Sequence, residues 1–312
     1  MTLRSSIKKS LVLILVCGLI AGTVVSCGML SEINKTLGGH VDVVDTAQFS
    51  YKYGKLAIKD ITMLSEDGTS MLPNQTILIK NTKIDAIGDA ISIPNDYEII
   101  DGNGKYVIPG LIDSHVHVKR SKNDLLLYLA NGITYIGEMT GMKEHFKYAE
   151  DIEEGTFLGP RMYIASPKVS SQKGMQATFR SWFERRHQNF TSEKAIRKAV
   201  RNYKAKGYKA IKLSSDLYEK ELYLALIDEA KKENIPVIGH LPVYIYMEDL
   251  YTSGQSQLSH IGSITQAEMN EYGGVDHTNA DTFLAYFDKK VDSIAIKLKQ
   301  HDITLSSTLW IH

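Results

Sequence analysis

After Lys105 the chain alternates short apolar, β-branched runs with amphipathic helical stretches, and few folds accommodate that rhythm. Candidate strands fall at 106–112, 132–139, 161–166, 209–214, 236–240, 257–261 and 303–309. Between two of them Tyr223, Leu226, Ile227 and Ala230 recur at i, i+3, i+4 and i+7, which marks one helical face. Thr191-Ser192-Glu193 offers an N-cap with acid in the first turn, and Gly207 suits the same helix's C-terminus. Repeated β-then-α units with buried strands predict an α/β fold, a parallel sheet covered by helices. A closed (β/α)8 TIM-type barrel needs eight strands. Seven are countable, so the expected architecture is that barrel over 105–312, truncated, with its eighth strand missing.

The region before the barrel reads differently. Four β-rich runs, 56–61, 76–80, 83–87 and 97–100, are broken by Glu66-Asp67-Gly68, Pro73-Asn74 and Asp101-Gly102-Asn103-Gly104. They predict a small β-sandwich module, present in part, over 51–104. Residues 27–50 are mostly polar or small and read as a tether. In residues 1–26, Arg4, Lys8 and Lys9 precede an apolar run over 11–25, the pattern of a secretory signal rather than a stable span. Val24-Val25-Ser26-Cys27 resembles the bacterial lipobox. That resemblance implies cleavage before Cys27, a lipid on its sulfur and a place in the cell envelope, the outer membrane or cell surface favoured. An ordinary signal peptide and an uncleaved anchor are the alternatives.

Cys17 and Cys27 are the chain's two cysteines, so a lipidated mature domain has neither disulfide nor thiolate ligand. Basic and acidic residues balance at 36 each, which leaves no nucleic-acid footprint. Any metal must be held by nitrogen and oxygen. His115 and His117, two residues apart on an extended segment, project to one face. Lys212 lies near the end of the fourth predicted strand, His240 ends the fifth and His260 the sixth. In a parallel barrel these ends share one rim, where catalytic groups gather. Each histidine alone is as well explained by burial with a carbonyl partner. Five ligand-capable residues at one end are much harder to reach by chance. A lysine on an apolar strand is costly unless paired or neutralised, so Lys212 asks for chemistry. Lys209 lies an odd number of residues away and faces outward.

From Gly104-Lys105 through Pro109-Gly110-Leu111-Ile112-Asp113-Ser114-His115-Val116-His117, the chain resembles the metal-dependent amidohydrolase superfamily, in its imidazolonepropionase-like and Xaa-Pro-dipeptidase-like branch. Asn131-Gly132-Ile133-Thr134, Gly159-Pro160-Arg161, Ile211-Lys212-Leu213, Pro236 to His240 and Ser259-His260 match later strands of that family. The resemblance implies His115 and His117 on one metal and His240 and His260 on another, with zinc the expected ion. It implies that Lys212 takes up CO2 and bridges the two as a carbamate. It further implies an enzyme whose metal-held hydroxide attacks a carbonyl, hydrolysing carbon–nitrogen bonds other than standard peptide bonds. The substrate expected is small, of the dipeptide or N-acyl amino acid type. Arg180, with Arg185 and Arg186 beside it, and Tyr244, with Tyr246, are candidate substrate contacts. The family's eighth-strand Asp, which accepts the water proton, has no counterpart here, since Asp276, Asp281 and Asp302 precede the seventh strand. The expectation is therefore an inactive N-terminal fragment of such an enzyme. A non-catalytic metal- or ligand-binding lipoprotein and a mononuclear deaminase or cyclic-amide hydrolase are the other readings. A homo-oligomer is compatible with all three.

Overall fold

The computed structural model describes residues 22–23, 26–32, 41–49, 54–119, 121–172 and 187–308. Most of the signal-like segment, and the candidate contacts Arg180, Arg185 and Arg186, lie outside those residues. Cys27 is exposed. Among the described residues no helix is long and apolar enough to cross a membrane.

The N-terminal strands are β1 (Lys55–Leu64), β2 (Met71–Lys80), β3 (Lys83–Gly88), β4 (Glu98–Asp101) and β5 (Tyr106–Val107). They form one sheet in the order β3-β2-β1-β4, with β5 also on β1. Described residues give a single five-stranded layer here where a sandwich was expected. Pro73-Asn74, read as a breaker, lies inside β2 instead. The β1–β2 register shifts there and Asn74 takes φ 54°, so the pair makes a bulge rather than a strand end.

The next strands are β6 (Leu111–Val116), β7 (Ile133–Glu138), β8 (Arg161–Ile164), β9 (Lys168–Ser170), β10 (His187–Asn189), β11 (Ile211–Leu213), β12 (Val237–Gly239), β13 (Gln257–Ser259) and β14 (Thr304–Ser306). The run 106–112, expected as one strand, divides. Tyr106 and Val107 pair with Thr62 and Met63 of β1, and the barrel-type strand starts after Pro109-Gly110. His115 therefore sits on β6 itself. Two all-parallel sheets, β6-β7-β8 and β10-β9-β11-β12-β13-β14, are joined by a parallel bridge between Ala165 and Ala210. Around the roll the order is β6, β7, β8 with its continuation β9, β11, β12, β13, β14. The sheet curls strongly, because the His115 ring on β6 lies 4.7 Å from the His260 ring beyond β13. Among the described residues β14 and β6 do not pair, and the circle is not closed.

Helices α1 (Asp124–Ala130), α2 (Lys143–Glu153), α3 (Glu193–Ala205), α4 (Lys220–Lys232), α5 (Met247–Ser253), α6 (Ile261–Tyr272) and α7 (Ala280–Gln300) connect the later strands. Ser192 caps α3, its hydroxyl accepting from the Ala195 N–H. On α4 the face carrying Tyr223, Leu226, Ile227 and Ala230 is buried, packing with α3, α5 and the outer faces of β11 and β12. Each such aliphatic burial is worth about 1.5–3 kcal/mol. A separate, smaller cluster of Val116, Val118, Leu125, Ile136 and Phe157 backs β6 and β7.

Candidate metal centre

The histidines predicted from sequence come together at the C-terminal strand ends. Ring centroids of His115 and His117 are 5.4 Å apart, those of His115 and His260 4.7 Å, and those of His240 and His260 5.0 Å. Backbone geometry makes the approach possible. Gly239, one residue before His240, has φ 121°, and a Cβ there would stand 2.6 Å from the Leu213 carbonyl oxygen. His260 itself holds φ 67°, a conformation a β-carbon resists, and such strain gathers at functional sites.

Hydrogen bonds fix which ring nitrogen is basic. His240 Nδ1 lies 3.1 Å from the Leu213 carbonyl oxygen, which only accepts, so Nδ1 carries the proton. His260 Nδ1 lies 2.6 Å from the Thr308 hydroxyl, whose own proton goes to the Ser307 carbonyl. His117 Nδ1 lies 2.8 Å from the Thr140 hydroxyl. In His240 and His260 the basic lone pair therefore rests on Nε2. His115 is different: both of its ring nitrogens are shielded from solvent and lack a hydrogen-bond partner among the described residues. Burying such atoms unpaired costs about 1–3 kcal/mol, which a ligated ion would offset.

Lys212 is fully buried, its Nζ donating to Ser259 Oγ at 2.8 Å. Burial first, and the positive charge of Lys168 second, push its pKa from 10.5 to about 7. Burial, reinforced by the charge of Lys212, pushes His115 down to about 2 and His240 to about 3. Both imidazoles are neutral at pH 7, the form that ligates metals. Among the described residues no three His, Cys, Asp or Glu side chains yet converge their donor atoms on one point. The rings are gathered rather than caged. The donor set nonetheless fits a borderline divalent ion: Nε2 lone pairs, orphaned buried nitrogens, a near-neutral amine and no thiolate.

Several residues at the centre escaped the sequence reading. Lys168 belongs to β9, where the Val169–Leu213 register and strand alternation put it on the Lys212 side of the sheet. Glu138, at the end of β7, is completely buried beside His117. Among residues that were predicted, Tyr244 is 61 % exposed in the loop after β12, its ring 6.2 Å from that of Tyr218. Tyr246, nearby, is also exposed. Asp302 lies at the other ends of the strands, lining a cavity of about 310 Å³ with Tyr135, Tyr163 and Gln257.

No family model matches the chain. It is 38% identical over 63 residues to the imidazolonepropionase of Idiomarina loihiensis, a match covering 20% of this chain and 15% of that protein. A structure assigned as a prolidase from Bifidobacterium longum superposes with a TM-score of 0.56 at 26% identity, covering 67% of this chain and 54% of that one. A second prolidase, solved with N-methylphosphonate-L-proline, gives a TM-score of 0.58 at 20% identity, over 80% of this chain and 77% of that one. The chain thus spans a small part of the curated relative's length.

Proposed function

We propose that this chain, which belongs to the amidohydrolase superfamily, forms the metal-binding part of a hydrolase that cleaves a carbon–nitrogen bond in a small amide-like substrate. The observation that carries the reading is His115, half-buried with both ring nitrogens shielded from solvent and unpaired among the described residues, and flanked by His117 and His260. His115 and His117 would hold one divalent ion and His240 and His260 a second, zinc by preference for such donors. When bound, the metal polarises a carbonyl and makes water a stronger acid.

The protein's own part begins with Lys212. With a pKa near 7, about half of its amine is neutral at physiological pH, the form that adds to CO2. The neutral Nζ lone pair bonds to the CO2 carbon as a C=O π pair moves onto oxygen, and Nζ then releases a proton to water. With the proton the ammonium has already lost, an awkward buried cation becomes an anion. Ser259 Oγ, at 2.8 Å, holds Nζ in place for that step. Lys168 puts a positive charge on the same face, suited to an anionic group on the substrate. Tyr218 and Tyr244 offer aromatic surface at the rim. A dipeptide or N-acyl amino acid, with one amide and one carboxylate, matches those features. Export on a lipid at Cys27 completes the proposal and rests on the Val24-Val25-Ser26-Cys27 sequence.

The test is metal stoichiometry by elemental analysis after reloading the chelator-stripped protein with zinc, with and without bicarbonate. Two ions per chain in bicarbonate, falling to one or none in Lys212→Met, is the expected result. A wild-type chain that retains no zinc overturns the reading. One ion per chain, indifferent to bicarbonate and to Lys212→Met, would replace it with the mononuclear one. Hydrolysis of Xaa-Pro dipeptides and N-acyl amino acids by the loaded protein then assigns the substrate class.

A further inference from the structure

The Glu138 carboxylate is fully buried on β7 and makes no ion pair with a lysine or arginine among the described residues. Its bonds run elsewhere. Oε2 accepts the Val118 N–H at 2.5 Å, and Oε1 accepts the Thr140 N–H at 2.8 Å and the Thr140 hydroxyl at 3.1 Å. The Thr140 hydroxyl also lies 2.8 Å from His117 Nδ1. An ionised carboxylate only accepts, so the hydroxyl spends its one proton on Glu138 and must accept from His117. Direction therefore propagates along the chain: Nδ1–H of His117 donates to Thr140, and Thr140 donates to Glu138.

We propose that Glu138 and Thr140 form a relay that sets the tautomer and orientation of His117, keeping its Nε2 lone pair pointed into the centre. The carboxylate form fits the geometry, since a main-chain N–H donates to each of its oxygens. Both oxygens are engaged and shut from solvent. Glu138 is thus a positioning residue and not a proton acceptor for substrate chemistry. The relay is itself braced by α2. His145 Nδ1 accepts the Met142 N–H at 3.1 Å, so its Nε2–H donates to the Val118 carbonyl at 2.9 Å. The segments carrying His117 and Thr140 are tied to one helix end. Among the four histidines, His240 takes its orientation from a main-chain carbonyl, while His117 depends on two side chains.

This inference rests on the metal-centre reading for its purpose, but the tautomer exists without metal and is measured separately. Long-range ¹H–¹⁵N spectra of metal-free protein, with His117 assigned by difference against His117→Asn, report which ring nitrogen is protonated. Wild type should show His117 as the Nδ1–H form. Thr140→Val should mix the two forms and lower zinc affinity by roughly 10–100-fold, with circular dichroism and melting temperature largely kept. Thr140→Ser should restore both. Glu138→Gln sets its NH2 against either the Val118 or the Thr140 N–H, so it should lower the melting temperature, and the Val and Ser pair decides the tautomer. His117 unchanged in Thr140→Val, or Thr140→Ser behaving like Val, overturns the relay. A wild type with the expected tautomer and no zinc affinity upholds the relay and overturns the metal reading.

Discussion

The two halves of the rolled sheet hold their candidate ligands by different means. In the β11–β13 half, His240 hangs on the Leu213 main-chain carbonyl and Lys212 on Ser259, and the strands rest on the large core shared by α3, α4 and α5. In the β6–β7 half, His117 hangs on the side chains of Thr140 and Glu138, and behind the strands lie five buried apolar residues. Leu111 and Ile112 of β6 are 50 % and 69 % exposed, so the first half has apolar cover on one side and little on the other. One half is a packed scaffold onto which ligands are set. The other is a polar network with a thin core, which makes its geometry depend on a few hydrogen bonds.

That contrast predicts unequal costs for the same deletion. Leu226→Ala opens a cavity between α4 and the sheet in the large core, and should destabilise the metal-free chain by about 4 kcal/mol. Leu125→Ala removes the same atoms from an equally buried site in the small cluster. Its neighbourhood collapses more readily, so about 2–3 kcal/mol is expected. Urea unfolding at neutral pH measures both. If Leu125→Ala costs as much as Leu226→Ala, the two halves are one core and the comparison breaks.

The halves meet electrostatically at the centre, and pH reads that meeting. Lys212 keeps its proton to about pH 10.5 when unfolded and only to about 7 when folded. Between those values the unfolded chain binds more protons, so stability of the metal-free protein rises with pH, by at most about 1.4 kcal/mol per unit from this group. Below pH 7 the full penalty of the buried cation is present; above 10.5 it is gone. Lys212→Met should flatten that limb in urea titrations run at stepped pH. His115 and His240 act lower down: their folded values of about 2 and 3 lie under 6.5, so stability falls as pH drops from 6.5 toward those values. Burial is the first cause of the His115 shift and the Lys212 charge the second. Lys212→Met, on one half, should therefore move His115, on the other, back upward in an NMR titration. An unmoved His115 would mean that the halves are not coupled through this pair.

How much of this was legible in the chain follows from which interactions are local. The period of Tyr223, Leu226, Ile227 and Ala230 and the cap at Ser192 are local facts, and both reappear in α4 and α3. His115 and His117 were legible because alternation on a strand needs no partner. Tyr106 and Val107 were misread because their pairing partner, β1, lies more than forty residues earlier, and nothing local says which sheet they join. Lys168 sits in a three-residue strand, too short to carry a period. Glu138 went unremarked within the run 132–139, since its partners at Val118 and Thr140 come together only when β6 and β7 pair. Local periods and caps could be read from pattern; pairings between distant segments could not.

The smallest predicted effect concerns His260, where the packed half departs from ease. Its φ of 67° costs about 1–3 kcal/mol in a residue with a β-carbon. The backbone is nevertheless held there, because the His260 N–H donates to Ser306 at 2.7 Å and the Ile261 N–H to Ser307 at 3.2 Å, bonds that tie β13 to β14. His260→Gly releases the strain and keeps those main-chain bonds, but gives up the Nδ1–H bond to Thr308, about 1 kcal/mol, and meets glycine's extra unfolded freedom, about 0.5–1 kcal/mol. The metal-free variant should therefore melt within a few degrees of wild type, while zinc binding weakens. His117→Gly relieves no such strain and removes the last member of the Thr140 relay, so it should lower stability. If both variants lose stability alike, the φ at His260 stores nothing. The difference between the halves would then lie in their cores alone.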